Sequence, residues 1–181
     1  VQALYAPVAN STSVAETALL LMLECSRNVT VLHKTWVDDY YKAKLKVRKN
    51  TLNGKTVGIV GCGNIGSRLA KRCLAMEMNV LCYDPYKPAK DFPDGVEVVR
   101  DLDRILTESD YVSLHAPNTP VTRNMINKEA LAKMKPTAFL INTARGALVV
   151  EEDLYEACKN GVIAGAGLDA IRKEPVDPAN P

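Results

Sequence analysis

The sequence predicts a doubly wound α/β domain, a parallel sheet covered by helices on both faces. Three observations carry this. Strand-like and helix-like runs alternate from Thr51 onward. Several of the strand-like runs are continuously apolar rather than alternating, as strands buried on both faces require. The connections between them are short, which suits repeated βα units. With 181 residues, 47% of them hydrophobic, the chain suits one domain or a little more and can bury a full core.

The elements follow in order. Ser13-Val14-Ala15-Glu16 reads as a capping box, a Ser answered three residues later by Glu, opening a helix that runs to about residue 28. Val14, Ala18, Leu19, Leu21, Met22 and Leu23 make that helix apolar on nearly every side. Such a helix is buried on several faces, either in the core or in a subunit interface. A more amphipathic helix is predicted over 30–41. The run KAKLKVRK at 42–49 reads as a solvated connector, because no aromatic residues are interleaved for base stacking. Beyond it, strands are predicted at 56–60, 80–84, 96–99, 111–115, 139–143 and 163–169. Helices are predicted at 65–76, 102–109, 128–134 and 151–160.

Composition excludes several classes. The 23 Lys and Arg nearly balance 21 Asp and Glu, so neither nucleic acid nor an anionic membrane is expected as a partner. Five cysteines, odd in number and without a CxxC pair, argue against a disulfide framework and against a structural metal site. A reducing compartment, the cytoplasm, is expected. No apolar run reaches the ~18 residues of a membrane span, and Val1 is followed by no signal-peptide pattern.

Gly61-Cys62-Gly63-Asn64-Ile65-Gly66 is a GxGxxG motif in its confirming context, after a strand and opening a helix. Gly61 permits the tight turn, Gly63 leaves room for a pyrophosphate, and Gly66 lets the helix pack closely on the strand. Free N–H groups at the helix start then bind the phosphates. Asp84, 18 residues beyond Gly66 at the end of the second strand, suits the adenosine ribose hydroxyls and would repel a 2′-phosphate. The fold is therefore Rossmann-type and the expected cofactor is NAD rather than NADP.

Further motifs appear in a family's order: Asn10 to Glu16, Leu52 to Gly61, Leu114-His115-Ala116-Pro117-Asn118-Thr119-Pro120, Ile141-Asn142-Thr143-Ala144-Arg145-Gly146, and Gly167-Leu168-Asp169-Ala170 through Glu174-Pro175. In these the chain resembles the D-isomer-specific 2-hydroxyacid dehydrogenases. The resemblance implies hydride transfer between NAD(H) and a small 2-hydroxy or 2-keto acid. It implies that Arg145 is catalytic, and the chemistry agrees. A guanidinium can fork onto a carboxylate and stabilise charge developing on the neighbouring carbonyl oxygen. It implies that Glu174 pairs with a catalytic histidine, raising the imidazole pKa and fixing its tautomer. Asn64 and Ile65 would touch the pyrophosphate. Ala116, Thr143, Ala144, Arg145 and Asp169 would lie along the nicotinamide half.

That family's histidine follows Glu-Pro within a Pro-His step, beyond Pro181, and neither His33 nor His115 matches it. On this reading residues 1–181 are a cofactor domain, without the substrate domain and without the histidine segment. It would bind NADH and turn over no 2-keto acid alone. The Val14 to Leu23 stretch resembles the family's dimer helix, so a homodimer is expected. Two other readings remain open at this point: an NAD-sensing corepressor-like interaction module of the same fold, and a relative acting on formate or phosphite.

Overall fold

The structure, a computed structural model, describes residues 8–41, 50–176 and 180. The chain opens with helices α1 (Ser11–Arg27) and α2 (Val29–Asp38). Six strands follow: β1 (Thr56–Val60), β2 (Asn79–Tyr83), β3 (Glu97–Val99), β4 (Tyr111–Leu114), β5 (Phe139–Asn142) and β6 (Gly165–Leu168). Between them run α3 (Asn64–Ala75), α4 (Leu102–Glu108), α5 (Lys128–Lys133) and α6 (Glu151–Lys159). All five strand pairings are parallel, in the order β3-β2-β1-β4-β5-β6. The chain winds outward from β1 in one direction, then returns to β4 on its other side. Ligands of such sheets bind at that reversal, outside the carboxyl ends of the strands.

Alternate residues of each strand enter two different cores, as a period of two dictates. Val57, Ile59, Val80, Cys82 and Ile141 pack with Ala15, Ala18 and Met22 of α1 and Leu69, Ala70 and Cys73 of α3. Val60, Leu81, Val112, Leu114 and Leu140 pack on the opposite face with Ile105, Leu106, Leu131 and Leu154 of α4, α5 and α6. Each fully buried Leu or Ile contributes roughly 1.5–3 kcal/mol of transfer free energy. Both faces are therefore apolar, which explains the continuous hydrophobic runs of the sequence.

The predicted strands and helices from 56 to 169 are all present, with ends moved by two residues at most. The first helix departs from its predicted start. It begins at Ser11 with Asn10 at the N-cap position, and no side chain caps it. Ser13 lies inside the first turn and donates its hydroxyl to the Asn10 carbonyl at 2.9 Å. Glu16 does not reach back, because Arg72 of α3 holds its carboxylate at 2.9 Å. The capping box is replaced by a tie between helices. As expected, α1 is buried on several faces: Ala15, Ala18 and Met22 form its innermost stripe and Leu19, Leu21 and Leu23 pack partly buried against the same core, while Leu20 is 64% exposed. On α2, Val29, Val31, Trp36 and Val37 are exposed. The basic connector 42–49 lies outside the described residues.

Candidate cofactor and active site

Immediately beyond β1, Gly61 adopts φ +91°, a region closed to most side chains. A Cβ there would also stand 2.8 Å from the Ala116 nitrogen and the His115 carbonyl carbon. At Gly66 a Cβ would lie 2.1 Å from the Gly61 carbonyl oxygen, so α3 can approach the turn only because this residue is glycine. Gly63 differs: nothing in the protein comes within 4 Å of its missing Cβ. Gly63 is the N-cap of α3, and no side chain caps the helix. The N–H groups of its first turn, at Asn64, Ile65 and Gly66, thus have no intrahelical acceptor. They meet the positive end of the helix dipole beside open space.

Asp84 follows β2 and turns toward this loop. Its Oδ2 accepts from the Cys62 N–H at 3.1 Å, and its Oδ1 from the Tyr86 N–H at 3.1 Å. Each oxygen keeps a lone pair for another donor. Lys87, which no sequence motif singles out, donates to the Cys62 carbonyl at 2.6 Å and meets the Ser67 hydroxyl at 3.1 Å. Cys62 itself is buried. A hydrogen bond with the Cys82 thiol pulls its pKa down to about 7 against burial, aided by Ser67 and the charge of Lys87. The other free thiols, Cys25, Cys73, Cys82 and Cys158, are all pushed up.

A second region forms at the carboxyl ends of β5 and β6. A cleft of about 530 Å³ is lined by Thr143, Ala144 and Arg145 from one segment and Asp169, Arg172 and Glu174 from the other. Asn118 and the start of α1 complete it. Asn142, buried at the end of β5, shapes the first segment: its Nδ2 donates to the Arg145 carbonyl at 3.0 Å, and its Oδ1 accepts from the Ala144 N–H at 3.1 Å. Arg145 is exposed and spends one donor on the Ala144 carbonyl at 2.7 Å, leaving most of its guanidinium fork free. No ion pair joins Arg145 to Glu174 among the described residues.

Leu114 pairs with Asn142, so His115 and Thr143 follow at neighbouring strand ends. The His115 Nε2 lies 2.9 Å from the Ser113 hydroxyl. Its Nδ1 and the Thr143 Oγ1 are both buried without a hydrogen-bond partner, a costly state unless something polar arrives. Burial pushes the His115 pKa down to about 4, so the ring is neutral. His33 is exposed on α2. The structure does not bring every predicted residue together: Ala116 is buried against Gly61 and lies outside the cleft. Among the described residues no cluster of His, Cys, Asp and Glu could hold a metal ion. No helix among them is long and apolar enough to cross a membrane.

The family profile described as D-isomer specific 2-hydroxyacid dehydrogenase, NAD binding domain, matches residues 19–181. The chain belongs to this family. It is 45% identical over 175 residues to the hydroxypyruvate reductase of Thermotoga maritima, covering 97% of this chain and 56% of that protein. To the D-3-phosphoglycerate dehydrogenase of Archaeoglobus fulgidus it is 41% identical over 177 residues, covering 97% and 33%. The crystal structure of a D-isomer specific 2-hydroxyacid dehydrogenase from Lactobacillus delbrueckii ssp. bulgaricus, in its NAD complexed form, superimposes with a TM-score of 0.84 at 32% identity. That match covers 96% of this chain and 54% of the other. The chain thus spans from a third to just over half the length of these relatives.

This dehydrogenase domain is an NAD-binding domain, and its residues fit the cofactor. The space beside Gly63 and the uncapped start of α3 suit a diphosphate. Farther along the strand ends, the Thr143 hydroxyl at the edge of the cleft and the His115 ring nitrogen beside it are buried polar groups without a partner.

Proposed function

We propose that the enzyme carrying this domain exchanges a hydride between NAD(H) and a small D-2-hydroxy or 2-keto acid. The observation that carries this reading is the shared cleft of Arg145, Glu174, Asp169 and Thr143. Bound there, NAD supplies the hydride acceptor and its reduced form the donor. Every other step falls to the protein.

Backbone amides at Gly63, Asn64, Ile65 and Gly66 hold the diphosphate, and the Asp84 carboxylate takes the ribose hydroxyls. Thr143, Ala144 and Asp169 border the nicotinamide half, with Ala116 behind the glycine turn. The free fork of Arg145 binds the substrate carboxylate and opposes negative charge growing on the 2-oxygen. Glu174 orients the proton-carrying histidine that the family resemblance implies and keeps its imidazole basic.

Homodimerisation through the Val14 to Leu23 region of α1 belongs to the same proposal, as does a cytoplasmic setting. The exposed Leu20 and the apolar side chains of α2 support the first. Five free cysteines support the second.

Titration of the folded chain with NADH and NADPH tests the cofactor assignment. Saturable NADH binding with clearly weaker NADPH binding is expected. A folded sample without NADH affinity would remove the basis of the proposal.

A further inference from the structure

Cys62 is gripped at both of its peptide groups by one connection, the chain between β2 and β3. Asp84 takes its N–H at 3.1 Å, and Lys87 reaches back to its carbonyl at 2.6 Å. The same ammonium meets the Ser67 hydroxyl at 3.1 Å, and that hydroxyl also donates to the Cys62 carbonyl at 3.0 Å. Three side chains thus fix the second residue of the glycine loop and the first turn of α3. The connection is fastened in turn by Arg100, whose Nη1 donates to the Asp84 carbonyl at 2.7 Å and Nη2 to that of Lys87 at 3.1 Å. Phe92 lies against both cations, 5.3 Å from Nζ of Lys87 and 5.6 Å from Cζ of Arg100, within cation–π range.

The charge of Lys87 is half-buried and meets no carboxylate at ion-pair distance among the described residues. Its hydrogen-bond partners are neutral. A partly buried ammonium is screened less than a fully exposed one. Its two partners, the Cys62 carbonyl and the Ser67 hydroxyl, flank the uncapped start of α3, where an anion is already favoured.

We propose that Lys87 is a positioning residue of the NAD site: it locks the glycine loop through Cys62 and Ser67 and adds positive charge where the cofactor diphosphate docks. This rests on the reading of the loop as the diphosphate cradle, and it assigns a role to a residue outside the GxGxxG and Asp84 pattern.

The test compares the parent chain with Lys87→Met, Lys87→Arg and Ser67→Ala. Two quantities are read: NADH affinity at low and raised salt, and the ultraviolet thiolate absorbance of Cys62 against pH without cofactor. The second needs no ligand, and Cys62 is the one free thiol held low, at about 7. Lys87→Met is expected to weaken NADH binding on the order of tenfold, the loss typical of one charge-assisted hydrogen bond. It should also flatten the salt dependence and move the Cys62 titration upward. Lys87→Arg restores most of the affinity and the salt dependence. Ser67→Ala, which keeps the charge, costs less and still reports on the clamp if Lys87→Met does not fold.

Unchanged NADH affinity in Lys87→Met, beside a parent that binds, would overturn the proposal and leave the cofactor reading intact. So would a loss that Lys87→Arg shares equally, with the Cys62 titration unmoved, since that is the mark of a merely structural lysine. A folded parent that binds no NADH defeats the cofactor reading and this role with it. The Cys62 titration then still tells whether the clamp exists.

Discussion

Gly146 lies directly against the backbone of Ile171: a Cβ built on it would stand 2.0 Å from the Ile171 carbonyl carbon and 2.2 Å from the Arg172 nitrogen. The chain leaving β6 therefore crosses the turn that follows β5 too closely to leave room for a Cβ. That crossing brings Glu174 into the cleft of Arg145. Gly146→Ala must push backbone rather than side chain, so a loss of at least 1–3 kcal/mol is expected, roughly the cost of overpacking. Thermal unfolding reads the stability. NADH affinity, on the proposed docking at the glycine loop, should fall far less than turnover of the enzyme. A variant with unchanged stability and turnover would show that the crossing is not rigid.

Gly63 and Gly66 separate binding from folding. Alanine at Gly63 meets no protein atom within 4 Å, so its effect on stability should stay within about 0.5 kcal/mol. Its methyl occupies the space proposed for the diphosphate, and NADH affinity should drop on the order of tenfold or more. Alanine at Gly66 collides with the Gly61 carbonyl oxygen and should damage both. Equal behaviour of the two variants in denaturant and NADH titrations would contradict this division of roles.

The sheet and its helices were legible because burial on both faces imposes continuous apolar strands, and because β1, Gly61-Cys62-Gly63-Asn64-Ile65-Gly66 and α3 form one local unit. The place of Asp84 beside the glycine loop was legible for the same reason, since it sits at a fixed offset within a βαβ repeat. What escaped the sequence is tertiary. Lys87 acts through a side chain that spans 25 residues of sequence to reach Cys62, and nothing near it in the chain marks it. The tight crossing at Ile171 is equally invisible in the residues around Gly146. The capping box failed because Glu16 found a partner on α3, 56 residues away, a competition that local pattern cannot register.

His115 predicts an acid-sensitive fold. Burial pushes its pKa down to about 4, below an unfolded value of about 6.5. Between those values the unfolded chain binds a proton that the native ring does not, so stability rises with pH there. The contribution is complete above pH ~6.5 and declines as pH falls toward ~4, reaching ~2 kcal/mol of loss near pH 5. Urea unfolding of the parent and of His115→Gln between pH 5 and pH 7 checks it. The parent should lose more stability than the variant over that interval. Parallel losses would mean that carboxylates alone account for the acid limb.

Asp84→Ser tests the preference for NADH over NADPH. The carboxylate opposes a 2′-phosphate by charge and offers acceptors to a 2′-hydroxyl. Removing it should weaken NADH and strengthen NADPH, narrowing the ratio of the two affinities by about tenfold or more. The variant also frees the Cys62 N–H that Asp84 holds, so part of the NADH loss arises from a loosened loop. Only the NADPH gain isolates the charge effect, and its absence would point to some other source of discrimination.

Arg145→Lys addresses the chemistry itself, in the enzyme that carries this domain. Lysine keeps the charge but replaces a planar fork with a point donor. One carbonyl already occupies a single Nη1 donor of Arg145, so four of the five guanidinium N–H groups remain for substrate. An ammonium reaching the same place cannot bridge a carboxylate and a carbonyl oxygen at once. Turnover of 2-keto acid per unit KM should fall on the order of a hundredfold, about 2.7 kcal/mol of transition-state stabilisation. NADH affinity should change far less, because the contacts proposed for the diphosphate and ribose lie at the glycine loop and Asp84, away from Arg145. If NADH binding collapsed in step with turnover, Arg145 would belong to the cofactor site rather than to the reacting acid.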